Sequence, residues 1–164
     1  MATFTLVHVL ISLAAIVSGF VVLFALIAGR QHGWTGCFLA TTILTSVTGF
    51  LFPFHKLLPS HVIAAFSLVV LAASMFALYA RHLVGAWRST YVVTAIVALY
   101  FNVFVLIAQS FQKIPALKKL APTQSEPPFA IAQCIVLLLF VVLGLAAVRG
   151  FRQKASPIAM AASK

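Results

Sequence analysis

The chain has 164 residues, 63% of them hydrophobic, with eleven Lys and Arg against one acidic residue and a formal net charge of +10. A mean hydropathy of +1.16 leaves no polar coat for a water-soluble globule, so soluble folds are excluded. The cations are scattered between apolar runs rather than gathered in a patch, which argues against a nucleic-acid partner and for a bilayer with anionic lipids.

The uncharged runs, in chain order, are Phe4–Gly29, Trp34–Phe54, Val62–Ala80, Thr90–Phe111 and Phe129–Val148. A hydrocarbon core of about 30 Å takes roughly 20 apolar residues as helix, and an ionised group at its centre costs about 2.5–3.5 kcal/mol on insertion scales. These runs predict an all-α, five-helix transmembrane bundle over residues 1–150, followed by a basic cytoplasmic tail at 151–164. The first run lacks a basic leader and is too long for a signal-peptide core, so it reads as an uncleaved first span. Seven Lys and Arg fall on one side and four on the other, which favours the N-terminus outside and the C-terminus in the cytoplasm.

The connections Arg30–Gly33, His55–His61 and Arg81–Ser89 are short, which predicts antiparallel neighbours. Gln112–Pro128 is longer and carries Pro115, Pro122, Pro127 and Pro128 with Lys113, Lys118 and Lys119; it reads equally as a contact-making loop or as slack. Gly36, Thr41 and Thr45 recur 49 positions later as Gly85, Thr90 and Thr94, an expectation that spans one and two are duplicated as three and four. Cys37 and Cys134 fall toward opposite sides and predict no disulfide.

The topology sorts the histidines, with His8, His55 and His61 outside and His32 and His82 inside. Imidazole ligates haem iron, and an axial pair needs two rings from different helices at one depth. His8 with His61 is the outer candidate pair and His32 with His82 the weaker inner one. Ser12, Ala15 and Gly19 on the first span, with Ala64, Ala65 and Ala72 on the third, would leave flat space for a porphyrin. The plainer reading makes the histidines interfacial anchors beside Arg30, Lys56 and Arg81, and the small residues sites of close helix approach.

On the fourth span Tyr91, Ala95, Ala98, Asn102, Val105 and Gln109 share one stripe, which should face protein. Its amides need partners, and Thr41, Thr42, Thr45, Ser46 and Thr48 of the second span offer them. Gln109 and Gln133 both approach the outer side and are candidates, with His8, for a haem b or quinone pocket. Glu126, the sole acid, reads as the first turn of the last helix capped by Ser125, or as a proton acceptor or cation contact beside the outer histidines. Soluble-enzyme motifs are absent, and with no carboxylate inside any span a carrier or channel is disfavoured.

The stretches HGWTGCFLATTILTSVTGFLFPF (His32–Phe54) and ALYFNVFVLIAQSFQKIPALKKLAPTQSEPPF (Ala98–Phe129) resemble those of small uncharacterised bacterial inner-membrane proteins. That resemblance implies a bacterial cytoplasmic-membrane location and carries no activity. The paired histidines are more loosely similar to cytochrome b561-like membrane proteins, whose four-helix core holds two b-type haems; here the inner histidines stand at span boundaries instead of within spans. Two functional expectations follow. One is an electron-transfer protein binding haem b or quinone near the outer face; the other is a non-catalytic subunit or assembly partner of a larger membrane complex, or of a homo-oligomer.

Overall fold

The computed structural model describes residues 2–51 and 59–153, and the 154–164 part of the expected tail lies outside the described residues. The elements are α1 (Ala2–Ile27), α2 (Thr35–Phe50), α3 (Pro59–Met75) continued by a π-helical turn (Phe76–Ala80), α4 (Trp87–Lys113), α5 (Pro115–Leu120) and α6 (Pro127–Gln153). Among the described residues the fold is all-helical. Four helices, Thr3–Ile27, Val62–Ala80, Trp87–Lys113 and Pro127–Arg152, are long and apolar enough to cross a membrane, consistent with a multi-pass membrane protein. α2 is apolar but has 16 residues, a rise of about 24 Å. Residues 52–54, which the expected second span includes, lie outside the described residues.

α1 packs on α2, α2 on α3, α3 on α4 and α4 on α5, while α6 lies against both α4 and α1, which also touch each other. Two ends result. At one, His8 of α1 meets Thr48 of α2, and Phe111 at the end of α4 stacks edge-on against Phe129 at the start of α6, with centroids 5.4 Å apart. The described cations there are Lys113, Lys118 and Lys119, so we term it the lysine end. At the arginine end Phe76 meets Trp87 at 5.3 Å and Tyr91 lies 6.3 Å from Phe151. Arg30, Arg81, Arg88, Arg149 and Arg152 gather there.

Lipid gives two apolar helices no reason to associate, so small residues that permit dense contact supply the cohesion. A Cβ at Gly150 of α6 would collide with the backbone carbonyl of Ile27 of α1, which makes this a backbone-to-backbone crossing. Where a Cβ of Gly19 would stand, Phe38 of α2 lies at 2.9 Å and Leu99 of α4 is closer still, so three helices converge on one missing side chain. The space at Gly19 expected to admit a porphyrin is therefore filled by protein. The interior around it is Val22, Leu23, Leu26, Phe38, Leu71 and Leu99, all buried.

Three further sequence expectations are corrected. The connection after α4 contains α5, because Pro115 occupies the first helical turn, where its missing N–H costs nothing. Ala65 and Ala72 of α3 point outward and do not face α1. In the proposed repeat, Gly36 is the second residue of α2 whereas Gly85 lies before α4 with φ 58°, so the two glycines are not conformational equivalents. The two hairpins do run in the same direction.

Gly150→Val should lower the stability of the detergent-solubilised protein by about 1–3 kcal/mol, as overpacking does. Gly36→Ala, with nothing within 4 Å of the new Cβ, should be neutral or slightly stabilising. Reversible unfolding in mixed micelles measures both; equal effects would show that the α1–α6 crossing is not close.

Candidate functional site

At the lysine end the His8 ring is half-buried, and its Nδ1 lies 2.7 Å from Oγ1 of Thr48 on α2. Its own carbonyl accepts from the Ser12 hydroxyl at 2.8 Å, one turn on. Gly49 follows Thr48, and a Cβ there would lie 3.9 Å from Cε1 of His8. The imidazole is thus oriented by a second helix and by a residue with no side chain to crowd it. The His61 side chain and all of His55 lie outside the described residues, and the structure gives no geometry for the His8–His61 pair.

The amides of α4 and α6 turn toward other parts of the same chain. Asn102 Nδ2 donates to Thr42 Oγ1 at 3.2 Å, the α4–α2 bridge that the stripe of Tyr91, Ala95, Ala98 and Asn102 implies. The Tyr91 hydroxyl lies 3.5 Å from Thr35 Oγ1, one further α4–α2 contact. Gln133 of α6 is buried and its Nε2 donates to the Phe104 carbonyl at 3.2 Å, while its Oε1 has no partner among the described residues. Gln109 is half-buried on the same face of α4.

Beyond α4 the chain is tied back down. Gln124, with φ 62°, donates through Nε2 to the Ala108 carbonyl at 2.6 Å and accepts from Gln112 at 3.3 Å. Glu126 is the residue before α6, and its carbonyl accepts the N–H groups of Phe129 and Ala130. Its carboxylate reaches backward, accepting from the Thr123 N–H and hydroxyl at 3.1 and 2.9 Å and from the Ser125 N–H at 3.0 Å. Glu126 itself, and not Ser125, organises the entry to α6. Desolvation pushes this carboxyl up, but the Thr123 hydroxyl and the N–H groups of Thr123, Glu126 and Ser125 outweigh it and hold the carboxyl below its ordinary value.

At the arginine end His32 accepts the Trp34 N–H on its Nδ1 at 3.2 Å, fastening the α1–α2 turn. His82 is exposed in the α3–α4 turn, and both it and Leu83 have left-handed backbones, φ 47° and 57°. A cavity of about 380 Å³ opens there, lined by His82, Leu83, Val84, Gly85, Arg88 and Arg152; His32 is not among its walls. Among the described residues no three His, Cys, Asp or Glu side chains gather as a metal site. Cys37 and Cys134 are free and exposed.

Sequence reasoning missed this cavity, because Arg88 and Arg152 are 64 positions apart and each reads alone as an anchor. It also missed Ser67 and Ser74, buried on α3 with hydroxyls that have no partner among the described residues; their spacing of seven is the signal that both face inward. No family model, curated protein or solved structure matches the chain.

A cycle of Asn102→Ala and Thr42→Ala should return a coupling of about 0.6 kcal/mol, with about 1.7 as the upper bound for hydrogen bonds between membrane helices. Additivity would remove the bridge. For Glu126 the sign follows from its lowered folded-state value: the stabilisation of the turn is present above the ordinary carboxyl range and is lost as pH falls through the lowered value. Amide exchange at Thr123 and Ser125, corrected for intrinsic rates, should accelerate in acid in the wild type and show no such step in Glu126→Gln.

Proposed function

We propose that the chain is a non-catalytic subunit or assembly partner of a larger complex in the bacterial cytoplasmic membrane, with five spans, the N-terminus outside and the C-terminus inside. The observation that carries this reading is where the polar groups of the spans go. Asn102, Tyr91 and Gln133 each turn to another helix of the same chain, as structural ties do. What faces outward is apolar, apart from the two charged ends. On α6, Ile131, Ile135, Leu138, Val142 and Leu145 form an exposed stripe with the spacing by which one helix packs along another. At the lysine end α5 presents exposed Lys118 and Lys119, and Gln124 ties the segment that follows it to the Ala108 carbonyl of α4. An acidic surface on a partner is the chemistry that suits it. The orientation rests on the arginines at one end together with Lys154 and Lys164 beyond them.

The second reading, a b-type haem or quinone site at the lysine end, draws on the His8–Thr48 bond. A ligating histidine commonly has its other ring nitrogen hydrogen-bonded, which fixes the ring. Gln109, Gln133 and Glu126 would shape such a site, and the bare acceptor on Gln133 is a group that a polar ligand would satisfy. The fit to a porphyrin is poor, since Gly19 is filled by Leu99 and Phe38 and two of the three α3 alanines face outward. A quinone headgroup, which needs no slot between two helices, fits this end better and would supply two-electron chemistry when bound.

Extraction in several mild detergents followed by native electrophoresis should give an assembly larger than the monomer, and Lys118→Glu with Lys119→Glu should release monomer from it. Monomer alone in every detergent would overturn the subunit reading. The same purified material should lack a Soret band; a Soret band lost in His8→Ala would establish the haem reading in its place.

A further inference from the structure

We propose that the cavity at the α3–α4 turn binds a phosphate anion, and that an anionic lipid headgroup supplies it. This site is independent of the subunit reading and lies at the other end of the bundle from α5.

The argument begins with charge. Arg88 and Arg152 share the walls of one cavity of about 380 Å³, with His82 on its rim. The Arg88 guanidinium is half-buried against α6, its Cζ 5.1 Å from the centre of the Phe151 ring. Its Nε and Nη1 lie 3.5 Å from the Leu83 and Phe151 carbonyls, contacts that orient the group without neutralising it. Two arginines lining one open space concentrate positive charge there and favour an anion. Among the described residues the chain offers none there. Its only acidic side chain, Glu126, stands at the opposite end of α6, about 40 Å of helix axis away, and is engaged by Thr123 and Ser125. No described carboxylate is therefore at hand to neutralise the pair.

The backbone is shaped for the same purpose. The N–H of Leu83 reaches back to the Ala77 carbonyl and closes the π-helical turn, and His82 and Leu83 take left-handed conformations there, uncommon outside glycine. Gly85, also left-handed, carries no Cβ to fill the space, and the first turn of the 27-residue α4 starts two residues later. The N–H groups of Leu83, Val84, Trp87 and Arg88 are taken by chain carbonyls, so the turn contributes open space and the positive end of the α4 dipole, and the arginines hold the anion. Depth selects the source. The cavity lies at the boundary of the spans, where headgroup phosphates sit, and basic pockets between membrane helices at that level bind anionic lipids.

Native mass spectrometry of the detergent-solubilised full chain, titrated with phosphatidylglycerol and separately with phosphatidylcholine, tests the proposal. The wild type should retain phosphatidylglycerol preferentially. Arg152→Gln should weaken that binding about fivefold and Arg88→Gln with Arg152→Gln about thirtyfold, from the worth of one basic residue near a surface. Arg30→Gln, which removes the same charge from the same end outside the cavity, should leave it within twofold. Arg88→Lys keeps the charge and loses the fork, and should fall between. Should the Arg88 variants fail to fold, Arg152→Gln decides, since its side chain is exposed. Equal retention of the two lipids, or equal loss in Arg30→Gln and Arg152→Gln, would overturn the site. Titration with inorganic phosphate in phosphatidylcholine nanodiscs separates the sources: weak phosphate binding upholds the lipid, while phosphate binding as tight as the lipid's would overturn the lipid as the supplier.

Discussion

A single acidic side chain against eleven cations leaves the helices almost no ion pairs to hold them together, and the rest of the structure follows from that shortage. With Glu126 outside the spans, no two helices are joined by opposite charges among the described residues. Hydrocarbon adds no drive for apolar faces to meet, so association falls to dispersion at close range and to hydrogen bonds that lipid cannot replace. Gly150 against Ile27 and Gly19 beneath Phe38 and Leu99 are the points where that range is reached. Asn102–Thr42 and Gln133–Phe104 add direction to the contacts and fix which faces meet.

The same shortage explains how the polar residues of the spans are used. An amide in hydrocarbon without a partner is costly, and Asn102 and Gln133 each donate to an acceptor on another helix. Hydroxyls have a cheaper recourse in the carbonyl one turn back, and Ser18, Thr41, Ser46, Thr48 and Thr94 take it. Thr48 does so while its oxygen also meets His8, which makes the residue both a local and a cross-helix tie. Ser67 and Ser74 depart from the pattern on the buried face of α3, the helix that ends in a π turn.

What was legible in the sequence is what periodicity and hydropathy encode. Four long apolar helices, the antiparallel order of neighbours and the inward stripe of α4 follow from apolar runs about 20 residues long and from three- and four-residue steps. α5 escaped because six residues between prolines are too few to show a period, although Pro115 is itself a helix-start signal. The left-handed pair His82–Leu83 escaped because positive φ is uncommon outside glycine and leucine has no tendency to it; the Leu83 N–H bond to the Ala77 carbonyl accompanies it. The Glu126 turn was half legible, as a helix start with an acid in place, while which side chain organises it depends on the chain folding back by three residues. Gly19 shows the converse: a small residue read as room for a ligand, where three helices use the room for each other.

The two ends of the bundle meet the surplus of positive charge differently. At the lysine end the cations ride on α5 and the last turn of α4, on long stems exposed to water, where ions and headgroups screen them. The one acid there serves its own turn. At the arginine end Arg81 lies over Trp87, with its Cζ 5.0 Å from the ring centre, and Arg88 lies over Phe151, so both charges are held against aromatic faces at the edge of the spans. Screening by bulk water is weakest where a guanidinium is half-buried, so Arg88 gains most from a bound anion. On the lipid-site proposal, a membrane that supplies phosphate at that depth would act as a structural component of the α3–α4–α6 junction as well as the solvent around it.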